Sequence, residues 1–300
     1  MESCCTPRPR ESIVRVRESL NHHTLFNTIT LVRPEIESLI LVTEGEDDHF
    51  VIKNHSNEKL YIIQGNGKGK SLGAATLAEE ESISGVTFLV DSDYDQFLFP
   101  GKIYPSNVLV SNTHDIFMDI ALKSTRLLDS LIQTKVRSTV RRTGNPIATH
   151  AVMNQSLSLA AAVAPLRIVN ERYELDLKLS DFPFGEIPPI SPSIERIASI
   201  ALARSNTSTP ESELSRMIRE EKSTIGVGVE YLVGDHDFFR ALARVLVKVY
   251  DVKTVTAASL FDSFITALNR DCAAIMETDW YSNIANLSKL HGHAAFSCPC

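Results

Sequence analysis

The sequence lacks an uninterrupted apolar run of membrane-spanning length. Its longest, near residues 157–166, falls well short of the roughly 20 residues a helical span needs. The opening MESCCTPRPRES has no apolar segment of the kind a secretory leader carries, so no export signal is expected. Basic excess is missing too: Lys and Arg number 30 against 37 Asp and Glu, leaving a net charge of −7. That balance excludes a generic nucleic-acid coat protein, whose affinity rests on counterion release from a broadly basic face. It leaves room for an enzyme that meets nucleic acid through one local patch. Cysteines are few, 5 in 300 residues, and lie mostly near the ends (Cys4, Cys5, Cys272, Cys298 and Cys300). A chain this long buries a core without covalent staples, so reduced thiols and a cytoplasmic location are expected. No repeat period or low-complexity tract is present. With 43% hydrophobic and 22% charged residues the chain has a globular composition.

What is there changes character along the chain. Residues 7–32 combine Arg8, Arg10, Arg15 and Arg17 with Ile13, Val14, Leu20 and Leu25, the pattern of a leading helix. After Pro34, short apolar runs alternate with polar, glycine-marked segments: SLILVTEG (38–45), KLYIIQG (59–65), GVTFLVD (85–91) and SNVLVSN (106–112). Short runs without alternation are expected of strands buried on both faces of a parallel sheet. Segments 46–53 and 71–81 suit the crossover helices between them, so the unit reads as α/β. From Thr113 onward the spacing is helical, as in Ile116, Ile120, Leu127, Leu128 and Leu131, and again in Phe238, Leu242, Val245, Leu246 and Val249. PFGEIPPISP (183–192) reads as a rigid loop, and TSTPESE (207–213) as a loop feeding a helix near Pro210.

The acids fall at chemically suggestive places. Glu44 follows the first strand immediately before Gly45, Asp48 opens the next helix, and Asp91 and Asp93 follow the third strand in DSDYD. Ligands of open α/β sheets bind outside the carboxyl ends of strands, so these acids can converge on one edge. Clustered carboxylates suit a hard divalent cation, Mg²⁺ or Mn²⁺, and such ions serve phosphodiester cleavage. Each acid also has an ordinary reading, as a favourable charge in a first helical turn or as a turn residue. Their joint placement favours the metal site.

Neighbouring motifs fail on spacing. DSDYDQ starts like a calcium-binding loop, but Gln96 and Lys102 stand where that loop needs Gly and Glu. QGNGKGKS approaches a P-loop, which would require Gly where Gln64 stands. It reads instead as a glycine-rich turn in which Lys68 and Lys70 either touch a phosphate or form a solvated basic turn.

LVTEGEDD (41–48), the Gly65 turn and LVDSDYD (89–95) together resemble a toprim domain, the fold shared by topoisomerases, primases and OLD-type nucleases. SNTHDIFMDIAL (111–122) and VGDHDFFRAL (233–242) narrow the resemblance to the toprim-like nuclease subunit of the PARIS anti-phage system and its relatives. The likeness covers 38–122 and, more loosely, 230–290. It implies a leading helical segment (1–34), a toprim-like α/β domain with a parallel sheet flanked by helices (35–145), and a mostly helical region (146–300).

The resemblance assigns Glu44 as the toprim glutamate, a metal ligand or general acid/base. Asp91 and Asp93 become the metal-binding pair, Asp48 the second acid and Asp95 an additional ligand. A Glu is expected where Phe117 stands, which leaves Asp115 or Asp119 to substitute. Asp235 also departs from the usual Gly-His-Asp. His114, Asp115, His236 and Asp237 are auxiliary candidates, with a helix N-terminus as the alternative for the last two. The implied activity is that of a Mg²⁺-dependent (or Mn²⁺-dependent) endonuclease of abortive infection, a hydrolase that cuts tRNA in preference to DNA. An ABC-type ATPase partner is implied, since this chain carries no ATPase motif. An OLD-type DNA nuclease and a catalytically silent toprim scaffold are the alternatives. Helices over 230–290 are compatible with a homodimer, and no membrane role is expected.

Residues 123–145 form the most basic stretch, and Lys135, Arg137, Arg141 and Arg142 are the expected nucleic-acid contacts, with a solvated helix face as the alternative. Arg8–Arg17 is a weaker second patch. His291, His293, Cys298 and Cys300 are of types that bind zinc, but their spacing favours a frayed tail. Trp280 and Tyr281 read as core or interface anchors.

Overall fold

The computed structural model describes residues 21–297; Cys4, Cys5, Cys298, Cys300 and the Arg8–Arg17 patch lie outside them. Four parallel strands, β1 (Ile40–Thr43), β2 (Tyr61–Gln64), β3 (Val86–Val90) and β4 (Val108–Val110), form one sheet in the order β2-β1-β3-β4. The expected α/β architecture is present, with helices on both faces and a helical C-terminal region. The central strands β1 and β3 are buried throughout, whereas β2 and β4 are only partly covered. Burial on both faces therefore holds for two of the expected strands. The other two are edges, and Tyr61 is exposed for that reason.

Side chains alternate across β1. Ile40 and Val42 face Leu25 and Ile29 of α1 (His22–Val32), together with Ala74, Ala75 and Ala78 of α3 (Lys68–Glu80). Leu39 and Leu41 face the opposite way, toward Val51 and Ile52 of α2 (Glu46–His55). This second core is continuous with the whole helical region, through Leu128 to Phe238, Phe264 and Trp280. The α/β unit and the helices after it thus share one interior, and α1 belongs to the sheet's own layers.

Beyond the short α4 (Asp95–Leu98) come α5 (Ile116–Lys123), α6 (Thr125–Thr143), α7 (Thr149–Ala161) and α8 (Ala164–Arg172). They are followed by α9 (Ile194–Arg204), α10 (Glu211–Thr224), α11 (Asp235–Lys248), α12 (Ala257–Leu268), α13 (Cys272–Met276) and α14 (Asp279–Leu290). Taken together, Thr149–Arg172 is long and apolar enough to cross a membrane, a point that run length alone did not raise, but 67% of its most apolar window is buried within the fold. It is the hydrophobic heart of the helical region.

Two terminal expectations change. The chain up to Ser297 is docked rather than frayed: Phe296 stacks on Tyr281 with ring centroids 4.2 Å apart and pairs with Ser56, while Ala295 is buried. Cys272 is disulfide-bonded, so fully reduced thiols do not hold for it. Trp280 is a core anchor, as expected.

Candidate active site

The strand order reverses direction between β1 and β3, and the crevice outside their carboxyl ends is where open α/β sheets place ligands. Glu44 leaves β1 there and Asp91 leaves β3. Glu44 Oε2 accepts a hydrogen bond from the Asp91 N–H at 3.0 Å, so one acid bridges the two strand ends. The β2–α3 turn closes over the same edge. The Gly65 N–H donates to the Thr43 carbonyl at 2.7 Å and the Gly67 N–H to the Glu44 carbonyl at 2.9 Å. A Cβ on Gly65 would lie 2.1 Å from Ser71 Oγ and 2.9 Å from the Thr43 carbonyl oxygen, so only glycine allows this approach.

Asp48 sits at the third position of α2, and its Oδ2 accepts from the Gly45 N–H at 2.7 Å. That is the reciprocal half of a capping box, so the first-turn reading holds for it. It does not exhaust the residue. Burial and the nearby Asp115 charge push its carboxyl up to about 6, against the opposing pull of the Gly45 hydrogen bond. Burial raises Glu44 further, to about 7, helped by the Asp93 and Asp48 charges and opposed by the Asp91 N–H and Lys68. Asp91, whose Oδ1 accepts from the Ile116 N–H at 3.1 Å, is raised well above the carboxylate range by burial and by Asp115, Asp48 and Glu44.

Sequence reading did not anticipate how the far chain completes this cluster. Asp115 caps α5 through Oδ1, accepting from the Met118 N–H at 2.7 Å, while its Oδ2 accepts from the Asp235 N–H at 2.8 Å. The N-terminus of α11 is thereby fastened to the sheet edge. Asp235 is buried there, and burial together with Asp115 and Asp48 raises its carboxyl well above the usual range. The capping pattern at Asp115 was readable locally; its bond to residue 235 was not.

Asp93 adopts a left-handed backbone, φ 49°, which Asp tolerates, and its N–H donates to the His114 carbonyl at 2.8 Å. Lys68 Nζ lies 2.9 Å from Asp93 and 2.8 Å from Asp95, and also donates to the Ser92 carbonyl at 3.0 Å. Lys68 is thus a clamp on the β3 loop, its ammonium engaged by three oxygens. Asp95 is further held by Lys102 at 2.7 Å and by the Tyr104 hydroxyl. Although burial opposes it, hydrogen bonding to Lys102, Lys68 and Tyr104 lowers its carboxyl. Asp95 belongs to this ion-pair network and stands apart from the raised acids. Lys70 is half-buried in the first turn of α3.

The remaining expected residues sort clearly. Asp119 ties the loop after β4, accepting from the Asn112 N–H at 2.9 Å and the Thr113 N–H at 2.7 Å. Phe117 is buried against Phe261, ring centroids 5.4 Å apart, so a core aromatic stands where an acid was expected. Asp237 forms a bidentate ion pair with Arg167 of α8 at 2.6 and 2.7 Å and joins two helices. His236 is exposed. His114 Nδ1 lies 3.3 Å from Asp115 Oδ2, and its ring meets Tyr94 edge-on at 4.7 Å.

His114, Asp93 and Asp235 open onto a cavity of about 440 Å³, closed from the helical side by Arg167, Glu171 and Arg240. Glu171 was not anticipated. Loss of hydration and then the Asp93 charge raise its carboxyl, opposed by His114 and Lys68.

The basic stretch lies elsewhere and lines no part of this cavity. Lys135 donates to Ser263 at 3.2 Å, and Arg142 pairs with Asp251 at 2.7 Å. Arg126 pairs with Asp271 at 2.8 Å, while Arg137 and Arg141 are exposed.

The donor chemistry of Glu44, Asp91 and Asp93 fits a hard divalent cation: all oxygen, partly shielded from solvent, and mutually repelling. Glu44 and Asp91 each spend an oxygen on a main-chain N–H, and Asp93 spends one on Lys68. Among the described residues, no three His, Cys, Asp or Glu side chains gather closely enough to hold a metal ion. No family model matches the chain, and no curated protein matches it.

Proposed function

We propose that this chain is a divalent-metal-dependent nuclease acting at the carboxyl edge of its sheet. One observation carries the reading: Glu44, Asp48, Asp91 and Asp235 are drawn together where burial and mutual repulsion raise every one of them. Holding like charges in a shielded site is costly, and a bound cation offsets that cost. Perturbed acids in a crevice are also the arrangement expected of a functional site.

Glu44, Asp91 and Asp93 are the residues to hold Mg²⁺ or Mn²⁺. When bound, the ion supplies Lewis-acid polarisation of a phosphoryl oxygen and a more acidic water. The chain's own groups do the positioning. Lys68 fixes Asp93 at the rim, Asp48 locks the start of α2 beside Glu44, and Asp115 holds α11 against the edge. Glu44, with its carboxyl near 7, is suited to accept or return a proton at neutral pH.

The finer assignment follows from the toprim-like resemblance: an endoribonuclease of an anti-phage system, cutting tRNA in preference to DNA, cytoplasmic, and governed by an ABC-type ATPase partner. The net charge of −7 favours substrate delivery by such a partner over free scanning of DNA. A silent toprim scaffold is the second reading, and it draws on Phe117 in the core. Cleavage of total tRNA and supercoiled plasmid with Mg²⁺ or Mn²⁺, with and without the Glu44→Gln change, decides among these. Metal-dependent RNA cuts lost in the variant are expected. Plasmid cuts alone point to the DNA enzyme, and intact substrates, even with an ATPase partner added, to the scaffold.

A further inference from the structure

The cavity beside Asp93 has a sign that phosphate chemistry does not explain. Its wall carries Asp93, Glu171, Asp181, Asp235 and Asp237 against Arg167 and Arg240. Both arginines are already engaged, Arg167 by Asp237 at 2.6 and 2.7 Å and Arg240 by Asp181. A phosphate entering here meets more uncompensated carboxylate than cation. A neutral group rich in hydrogen-bond donors does not suffer that repulsion.

Its volume of about 440 Å³ lies in the range of small-ligand pockets. Glu171 supplies a carboxylate that makes no hydrogen bond or ion pair among the described residues and opens onto the cavity. His114 supplies a ring whose buried Nδ1 makes no hydrogen bond, backed by Tyr94, and His236 stands exposed at the rim. Unstacked bases of single-stranded RNA are held by such means, a ring face and hydrogen bonds to the base edge. A single carboxylate accepting two parallel hydrogen bonds selects among the bases. Guanine offers adjacent N1–H and N2–H donors. Adenine and cytosine set an acceptor beside their amino group, and uracil sets its one N–H between carbonyls.

We propose that this cavity takes up a guanine base of the substrate strand beside the phosphate to be cut, with Glu171 as the specificity-determining residue. The proposal rests on the nuclease reading for its place in a reaction, but the base site is measurable without cleavage. Calorimetric titration of the full chain, free of divalent metal, with the uncharged nucleosides guanosine, inosine, adenosine, cytidine and uridine is the test.

Guanosine is expected to bind about tenfold or more tighter than adenosine, cytidine and uridine, the discrimination of one good bidentate pair. Inosine, which lacks the N2 amino group, falls between. Glu171→Gln brings guanosine to the level of the others. Because Glu171 is exposed, its variant keeps the wild-type circular dichroism. Equal affinity for all five, binding of none, or a guanine preference that survives Glu171→Gln overturns the proposal. A guanine preference in a protein that cuts neither tRNA nor plasmid keeps the base site and removes the nuclease reading; cutting without a guanine preference does the reverse.

Discussion

Glu44 reaches from the end of β1 to the main-chain N–H of Asp91 at the end of β3, at 3.0 Å, across the point where the sheet reverses its order. One carboxylate therefore serves as both a structural tie and a partly exposed member of a repelling group. That double role makes the site sensitive to pH and to cations.

The pH dependence has a definite sign. Glu44 is raised from 4.5 to about 7 and Asp48 from 3.8 to about 6, so between those limits the folded protein holds protons that the unfolded chain has lost. Stability present below about pH 4 is lost progressively as pH rises through 6 and 7, by on the order of 2 kcal/mol from Glu44 after allowance for its partial exposure. Thermal melts of metal-free protein from pH 5 to 8 check this. A Tm that rises over that interval contradicts it, and Glu44→Gln flattens the slope.

The Asp237–Arg167 pair holds α11 to α8 behind the cavity with little solvent access. Asp237→Asn leaves Arg167 buried and under-compensated, at a cost of about 3 kcal/mol. Replacing both partners with Leu and Met recovers much of that loss. Urea titration of the single and double variants measures the difference; a single variant as stable as the parent removes this pair from the account.

Asp93 and Asp95 are separated by one residue and by role. Asp95→Asn loosens the clamp of Lys68, Lys102 and Tyr104 and lowers stability by about 1–2 kcal/mol, with Mn²⁺ affinity nearly unchanged. Asp93→Asn does the opposite, weakening Mn²⁺ binding about tenfold or more with little change in Tm. Matched melts and metal titrations of the two variants separate these outcomes.

Gly65→Ala places a methyl group 2.9 Å from the Thr43 carbonyl oxygen and 2.1 Å from Ser71 Oγ. The serine can rotate away, but the main-chain oxygen cannot, so Ser71→Ala relieves only part of a loss of about 1–3 kcal/mol. Full rescue by the second change would show that the turn has more room than this packing allows.

These features differ in how far the sequence revealed them. Glu44, Asp91 and Asp93 were legible because a short apolar run followed by an acid reports a strand end directly, and strand ends determine where ligands bind. The Asp115–Asp235 bond was not, because it joins positions 120 residues apart and neither local pattern names its partner. The partners of the basic stretch were hidden for the same reason. Arg126, Arg142 and Lys135 look uncompensated in sequence, yet meet Asp271, Asp251 and Ser263 from helices far down the chain. The ion-pair network at Asp95 was not legible either, since Lys102 and Tyr104 fold back onto it from seven and nine residues on.

The most direct measurement is Mn²⁺ binding to the purified chain at pH 7.5, followed by electron paramagnetic resonance or calorimetry, beside Glu44→Gln and Asp91→Asn. A saturable site that raises Tm and weakens about tenfold or more in either variant is the predicted result. Absence of saturable binding, or equal binding by all three proteins, would contradict a metal site at this sheet edge.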